Sequence, residues 1–190
     1  MRDNLYPERA RMSTRERMSS VDTAWLRMDR PNNLMMIVGV MVFAGRLDYD
    51  RLLATVRARL LPYPRFHRRV AFDASGAFWE DDPDFELETH VLRTALPGEG
   101  GKAELQKLVA EMVSQPLNPS KPLWQFHVVE NYRGGSVLIG RIHHCYADGL
   151  ALVQVLLSLT DAAPKPQHRR ELAKVWLKKD QGSVIDRLLE

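Results

Sequence analysis

Two adjacent histidines followed at short spacing by Asp-Gly are the residues here best suited to chemistry: Ile142-His143-His144-Cys145-Tyr146-Ala147-Asp148-Gly149-Leu150. An imidazole whose ordinary pKa is about 6.5 accepts a proton near neutral pH, so one of them at the mouth of a cavity suits a general base. Asp148 has three roles open to it: orienting a ring, holding the turn, or capping a helix. Residues 136–141, apolar and β-branched after Gly134-Gly135, predict a strand that ends at the histidines. Residues 150–159 are apolar and long enough for a helix, with Asp148 at its N-cap position. Successive strand residues point to opposite faces, so His143 and His144 cannot share a cavity while the strand continues. One is expected to be buried and the other free to react.

Other chemistries at the same residues are weaker. Cys145 adjoins His144, but neighbouring residues seldom set a thiol against an imidazole, so a cysteine nucleophile ranks below a histidine base. A metal held by His143, His144, Cys145 and Asp148 would need side chains from opposite faces to converge. His67, His90, His127 and His168 are scattered and read as structural or exposed. No glycine-rich phosphate loop or dinucleotide fingerprint occurs.

The elements that must position the histidines follow from pattern. Ser19 or Ser20 caps a short helix with Asp22 in its first turn and Ala24, Trp25 and Met28 on one face; Pro31 stops it. Residues 34–44 read as a buried strand. Asp48 opens a helix over 49–61 whose Leu52, Leu53, Val56 and Leu60 form an apolar stripe. Residues 69–73 and 77–80 form a hairpin through Ala74-Ser75-Gly76, and Asp81-Asp82-Pro83-Asp84 reads as a solvated turn. A short strand over 88–94 precedes a helix over 102–114 with Leu105, Leu108, Val109 and Met112 on one face. Strand 123–130 alternates Trp124, Phe126 and Val128 with Gln125 and His127, then returns antiparallel through 131–135 into the strand bearing the histidines. The helix after Gly149 is apolar all round, which demands burial on several sides and is met most easily by a second domain packed over it. Residues 1–17 are expected to be a mobile tail.

The totals fit a folded domain: 190 residues, 45% hydrophobic, 27% charged and a net charge of +3. One cysteine excludes an intramolecular disulfide. The opening residues lack the apolar stretch of a secretory signal, and no apolar run is long enough to span a bilayer, which predicts a cytoplasmic location. Within 165–179, Lys165, Arg169, Arg170, Lys174, Lys178 and Lys179 stand against Glu171 alone. Such a cluster reads first as a solvated helix face and second as a contact for anionic lipid or phosphate. Nucleic acid is not an expected partner, because no binding module accompanies the charge.

The histidine motif resembles that of the coenzyme A-dependent acyltransferase superfamily. Further stretches narrow the likeness: Met18-Ser19-Ser20-Val21-Asp22-Thr23-Ala24-Trp25-Leu26, Pro64-Arg65-Phe66-His67-Arg68-Arg69-Val70, His90-Val91, Ala95-Leu96-Pro97, Pro116-Leu117 and Pro122-Leu123-Trp124. In this order they resemble the N-terminal half of the bacterial wax ester synthase/diacylglycerol acyltransferase family over residues 18–161. Asn118 and Gln125 stand where many relatives are acidic.

The resemblance implies an α/β (α+β), chloramphenicol acetyltransferase-like half-domain with a mixed, mostly antiparallel sheet and packed helices. It implies O-acyl transfer from acyl-CoA, a substrate and not a bound cofactor, to a fatty alcohol or diacylglycerol. His144 would be the base, His143 supporting, Asp148 structural, and Gly149 would permit the turn into the helix. Members of the family are more than twice as long, with the active site between two similar halves. The expected partner is therefore a complementary C-terminal half or a second copy, with 162–190 as a basic connection and peripheral contact with the inner membrane or lipid inclusions. Two other classes stay open: a condensation-type enzyme using carrier-protein thioesters, and a non-catalytic lipid-surface protein.

Overall fold

The computed structural model describes residues 15–146 and 149–160. The expectations for residues 1–14, Asp148 and 162–190 lie outside these described residues. Seven strands and four helices are assigned among them: β1 (Arg15–Arg17), α1 (Ser20–Met28), β2 (Met36–Phe43), α2 (Tyr49–Arg59), β3 (Arg68–Asp73), β4 (Gly76–Asp81), β5 (Val91–Thr94), α3 (Lys102–Val113), β6 (Trp124–Tyr132), β7 (Gly135–His143) and α4 (Gly149–Ser158). They make a four-stranded sheet in the order β2-β7-β6-β5 and a three-stranded sheet in the order β1-β4-β3. Only the β5–β6 pair is parallel, and α3 lies in the crossover it requires. The fold is the mixed, mostly antiparallel α/β arrangement expected.

Local chemistry fixes the ends of the elements. Ser19 Oγ accepts the Asp22 amide at 3.0 Å to open α1, and Asp48 Oδ1 accepts the Arg51 amide at 2.8 Å to open α2. The β6–β7 hairpin turns on two residues, Arg133 and Gly134, with φ of 47° and 80°, the left-handed pair that suits strand twist. That tight turn fixes the register carrying His143 to the end of β7, beside Met36 of β2.

The four-stranded sheet is covered on both faces. On one, Leu105 and Met112 of α3 pack with Leu96, Val129, Val137 and Ile139. On the other, a larger core gathers Leu52, Leu53, Val56, Phe66, Trp79, Trp124, Phe126, Leu138, Ile142 and Val155. Here α4 sits on glycine. Gly39 and Gly140 are cross-strand partners, and a Cβ on Gly39 would lie 3.0 Å from Leu156 Cδ1. On Gly140 it would lie 3.1 Å from Phe126 and 3.3 Å from Leu156. The bare backbone lets the helix approach closely.

Several expectations are corrected. Residues 15–17, assigned to a tail, pair with β4, and Arg68 ties Glu16 and Asp81 together at 2.6 and 2.9 Å. β2, read as a buried strand, is a sheet edge with Val40 42% and Val42 60% exposed. An apolar run cannot announce whether both its flanks will find neighbours. In α1, Trp25 and Leu26 face the core while Ala24 and Met28 are exposed, because the short helix turns its apolar side by one position. The solvated turn at 81–84 holds a buried carboxylate: Asp82 pairs with Lys121 at 3.2 Å and accepts the Asp84 amide at 3.1 Å. The strand expected over 88–94 begins only at Val91, since Leu87–Thr89 form a 3-10 turn. In α4 Val155 is buried, but Val153 and Leu157 are 51% and 53% exposed. The described residues therefore do not bury this helix on all sides.

Candidate active site

β7 ends at His143, and the chain tightens at once into a 3-10 turn, His144–Tyr146. The backbone of both histidines is held: His143 N–H donates to Leu123 O at 3.0 Å and His144 N–H to Met35 O at 2.8 Å. The strand thus hands its last pairing to the loop before β2. The turn is anchored from below by Tyr146, buried against Phe66 and Trp79. Its hydroxyl accepts from Leu123 N–H at 2.8 Å and donates to Arg68 O at 3.3 Å. Arg65 reaches Tyr146 O at 3.4 Å and the Asp22 carboxylate at 3.3 Å, linking α1 to the same turn.

The two rings have different surroundings. His143 is buried, and its Nδ1 accepts the Cys145 amide at 3.1 Å. An accepting Nδ1 places the ring proton on Nε2 in the neutral tautomer. Nε2 lies 3.7 Å from Asp29 Oδ2, too far for a hydrogen bond, and has no partner among the described residues. Burial pushes the His143 pKa down, the Asp29 carboxylate opposes that, and neighbouring His144 adds to the lowering. Asp29 itself is fixed, since its Oδ1 accepts the Met35 amide at 2.7 Å. His144 is half-buried and lies flat on the indole of Trp25, with centroids 3.9 Å apart and planes inclined by 14°. Its Nδ1 is buried with no hydrogen-bond partner among the described residues. Nε2 is not enclosed in the same way.

Cys145 is fully buried, and burial holds its thiol well above the usual range, so it stays protonated. A thiolate nucleophile is thereby disfavoured. Among the described residues no group of three or more His, Cys, Asp or Glu side chains could hold a metal ion. Gly149 opens α4.

Trp124, His90, His127 and Arg141 are built into the sheet and its core. Trp124 is core, donating from Nε1 to Phe66 O at 2.8 Å. His90 is buried on Trp124 and donates from Nδ1 to Trp124 O at 2.8 Å. Burial, with a smaller push from Arg141, lowers the pKa of His127 to about 4. Arg141 is buried too; its guanidinium donates to Gln125 Oε1 at 3.1 Å and to Gln115 O. Gln125 therefore serves the chain as an acceptor for that arginine. A groove of about 460 Å³ opens on the other flank of α1, lined by Arg17, Thr23, Ala24 and Arg27 among others; no histidine lines it.

Two site residues were missed by sequence reasoning. The sequence places Trp25 on an apolar helix face and in the opening stretch that carries the family resemblance, but gives it no part in the site, and it does not single out Asp29. The Asp22-to-Leu26 stretch already pointed to α1, but its approach to a strand more than a hundred residues away is a tertiary fact.

The sequence model of the wax ester synthase/diacylglycerol acyltransferase catalytic domain matches residues 18–187. The chain belongs to this family. It is 32% identical over 151 residues to the probable diacylglycerol O-acyltransferase tgs1 of Mycobacterium tuberculosis, a match that covers 76% of this chain and 33% of that protein. It is 29% identical over 177 residues to the probable diacylglycerol O-acyltransferase tgs3 of the same organism, covering 88% of this chain and 64% of that one. The chain thus spans about a third of the length of the first curated relatives it matches. Among solved structures, the wax ester synthase/diacylglycerol acyltransferase of Marinobacter aquaeolei VT8 superposes with a TM-score of 0.67 at 21% identity, covering 80% of this chain and 38% of that one. The starter condensation domain of rhizomide synthetase RzmA gives 0.63 at 18% identity, covering 77% and 36%. These superpositions show that the chain shares its fold with the wax ester synthase/diacylglycerol acyltransferase and with the starter condensation domain.

No helix among the described residues is long and apolar enough to cross a membrane.

Proposed function

We propose that this chain carries the proton-accepting half of an O-acyltransferase that moves a long-chain acyl group from acyl-CoA to a fatty alcohol or diacylglycerol. The observation that carries the reading is His144: a half-buried imidazole at a strand end, its backbone pinned and its Nδ1 enclosed, in a chain of this family. His144 Nε2 takes the proton of the acceptor hydroxyl as the oxygen attacks the thioester carbonyl carbon. The tetrahedral intermediate collapses, the C–S bond breaks, and the coenzyme A thiolate takes that proton back from the imidazolium. The new bond is an ester, and no acyl-enzyme forms. His143 supports the turn through its bond from the Cys145 amide, and Asp148 and Gly149, by motif position, shape the passage into α4.

The exposed apolar side chains of α4 support a complementary half, or a second copy, as the cover that completes the site. Acceptors of this kind partition into lipid, which favours a cytoplasmic protein in peripheral contact with the membrane or lipid inclusions. Coenzyme A release from a long-chain acyl-CoA, with and without hexadecanol or diolein, tests the reading. Turnover lost in His144→Ala with the fold retained is expected; undiminished turnover in that variant overturns it.

A further inference from the structure

The described residues leave the His144 ring with no side-chain hydrogen bond to either nitrogen. Its backbone is fixed, yet backbone contacts do not set the plane of an imidazole, which turns about two side-chain torsions. A base must meet its proton within a narrow geometry, and a small misplacement costs rate steeply. Among the described residues the contact that can hold the ring is the face of Trp25, at 3.9 Å and 14°.

Trp25 is itself well held. Ser19 caps the start of α1 through the Asp22 amide. Asp22 pairs with Arg65, which also reaches the carbonyl of Tyr146 in the histidine turn. Just beyond the end of the helix, Asp29 grips the Met35 amide, in the loop whose Met35 carbonyl accepts from His144 N–H. One short helix is therefore tied to the histidine turn on both sides of Trp25. A face-on indole also suits a ring that gains positive charge during proton transfer, because the negative face of the π-system attracts a cation.

We infer that Trp25 is a positioning residue for His144: its stacked indole fixes the imidazole plane and shelters the imidazolium formed when the acceptor hydroxyl is deprotonated. This inference rests on the proposed acyl transfer for its kinetic part and on the ring contact alone for its structural part.

The test compares Trp25→Leu and Trp25→Phe in the full chain, with the His144 ring protons followed by NMR alongside steady-state kinetics of coenzyme A release. The stacked indole shifts those protons upfield. In Trp25→Leu they move downfield, kcat falls about tenfold to a hundredfold and KM stays within about twofold. Trp25→Phe recovers most of the kcat, since a benzene face restores the plane and part of the charge interaction. Unmoved His144 signals in the leucine variant overturn the inference. So does a fall in kcat no larger than the fall in folded fraction read from the amide spectrum. A wild-type protein that releases no coenzyme A from any acyl donor overturns the proposed function instead, and the His144 signals then decide the stack by themselves.

Discussion

Among the described residues two histidines stack on a tryptophan, and their surroundings differ. His90 lies on Trp124 with centroids 4.7 Å apart, both side chains buried, and donates from Nδ1 to the carbonyl of the same tryptophan. Phe85 also stacks on the His90 ring, at 5.1 Å. His144 lies closer and flatter on Trp25, with both rings half-buried and Nδ1 unsatisfied among the described residues. The first pair has spent its polar groups on the fold. The second has withheld a nitrogen at some cost, since a buried polar atom without a partner is unfavourable. Residue types are the same; hydrogen-bond closure and access are what differ between the two pairs.

Substitutions can break that contrast. The largest effect is expected for His144→Ala, a loss of about 10²–10⁴-fold in turnover with little change in the urea midpoint; a matching loss in His90→Ala at equal folded fraction would erase the distinction. Trp124→Ala is expected to cost about 3–5 kcal/mol of stability, read by urea unfolding. Next, His90→Ala strands the Trp124 carbonyl and is expected to cost about 1–3 kcal/mol, whereas His144→Ala breaks no side-chain hydrogen bond among the described residues and should cost less than half as much. Equal costs would place both histidines in the scaffold.

The smallest effect concerns pH. Burial lowers the pKa of His90, His127 and His143, so the folded chain binds fewer protons than the unfolded chain below the ordinary value of 6.5. Stability should be flat from pH 7 to 8 and fall as pH drops from 6.5 toward about 4, where His127 itself titrates. A measurable loss by pH 4.5 is expected, and His127→Gln should flatten part of that slope. An unchanged slope in the variant would show that His127 is already solvated.

Much of this was legible in sequence because it is local. Ser19 and Asp48 act as helix caps where their spacing put them, Gly134 helps turn the hairpin, and β7 stops at His143. The motif also separated a buried histidine from a more accessible one. What escaped depends on neighbours distant in sequence. Three charged residues in β1 form a strand because Glu16 meets Arg68 and Arg15 meets Asp73 across the sheet. Asp82 goes inside because Lys121 arrives from another loop. The parallel pairing of β5 with β6 carries no local mark, and Trp25 looks like any apolar helix residue until the turn after β7 comes to rest on it.

The order of the four-stranded sheet bears on how the chain is made. β2 and α1 leave the ribosome before β7, and among the described residues β7 is the one strand that pairs with β2. During synthesis a strand as apolar as Met36–Phe43 must wait, unzipped along both sides, while α2, β3, β4, β5, α3 and β6 emerge. Pairings so distant along the chain form slowly and leave sticky edges open in the interval. The reactive turn is thus assembled in the same late event that closes the sheet, so a nascent chain halted before Gly135 would hold a vulnerable edge and no site at all.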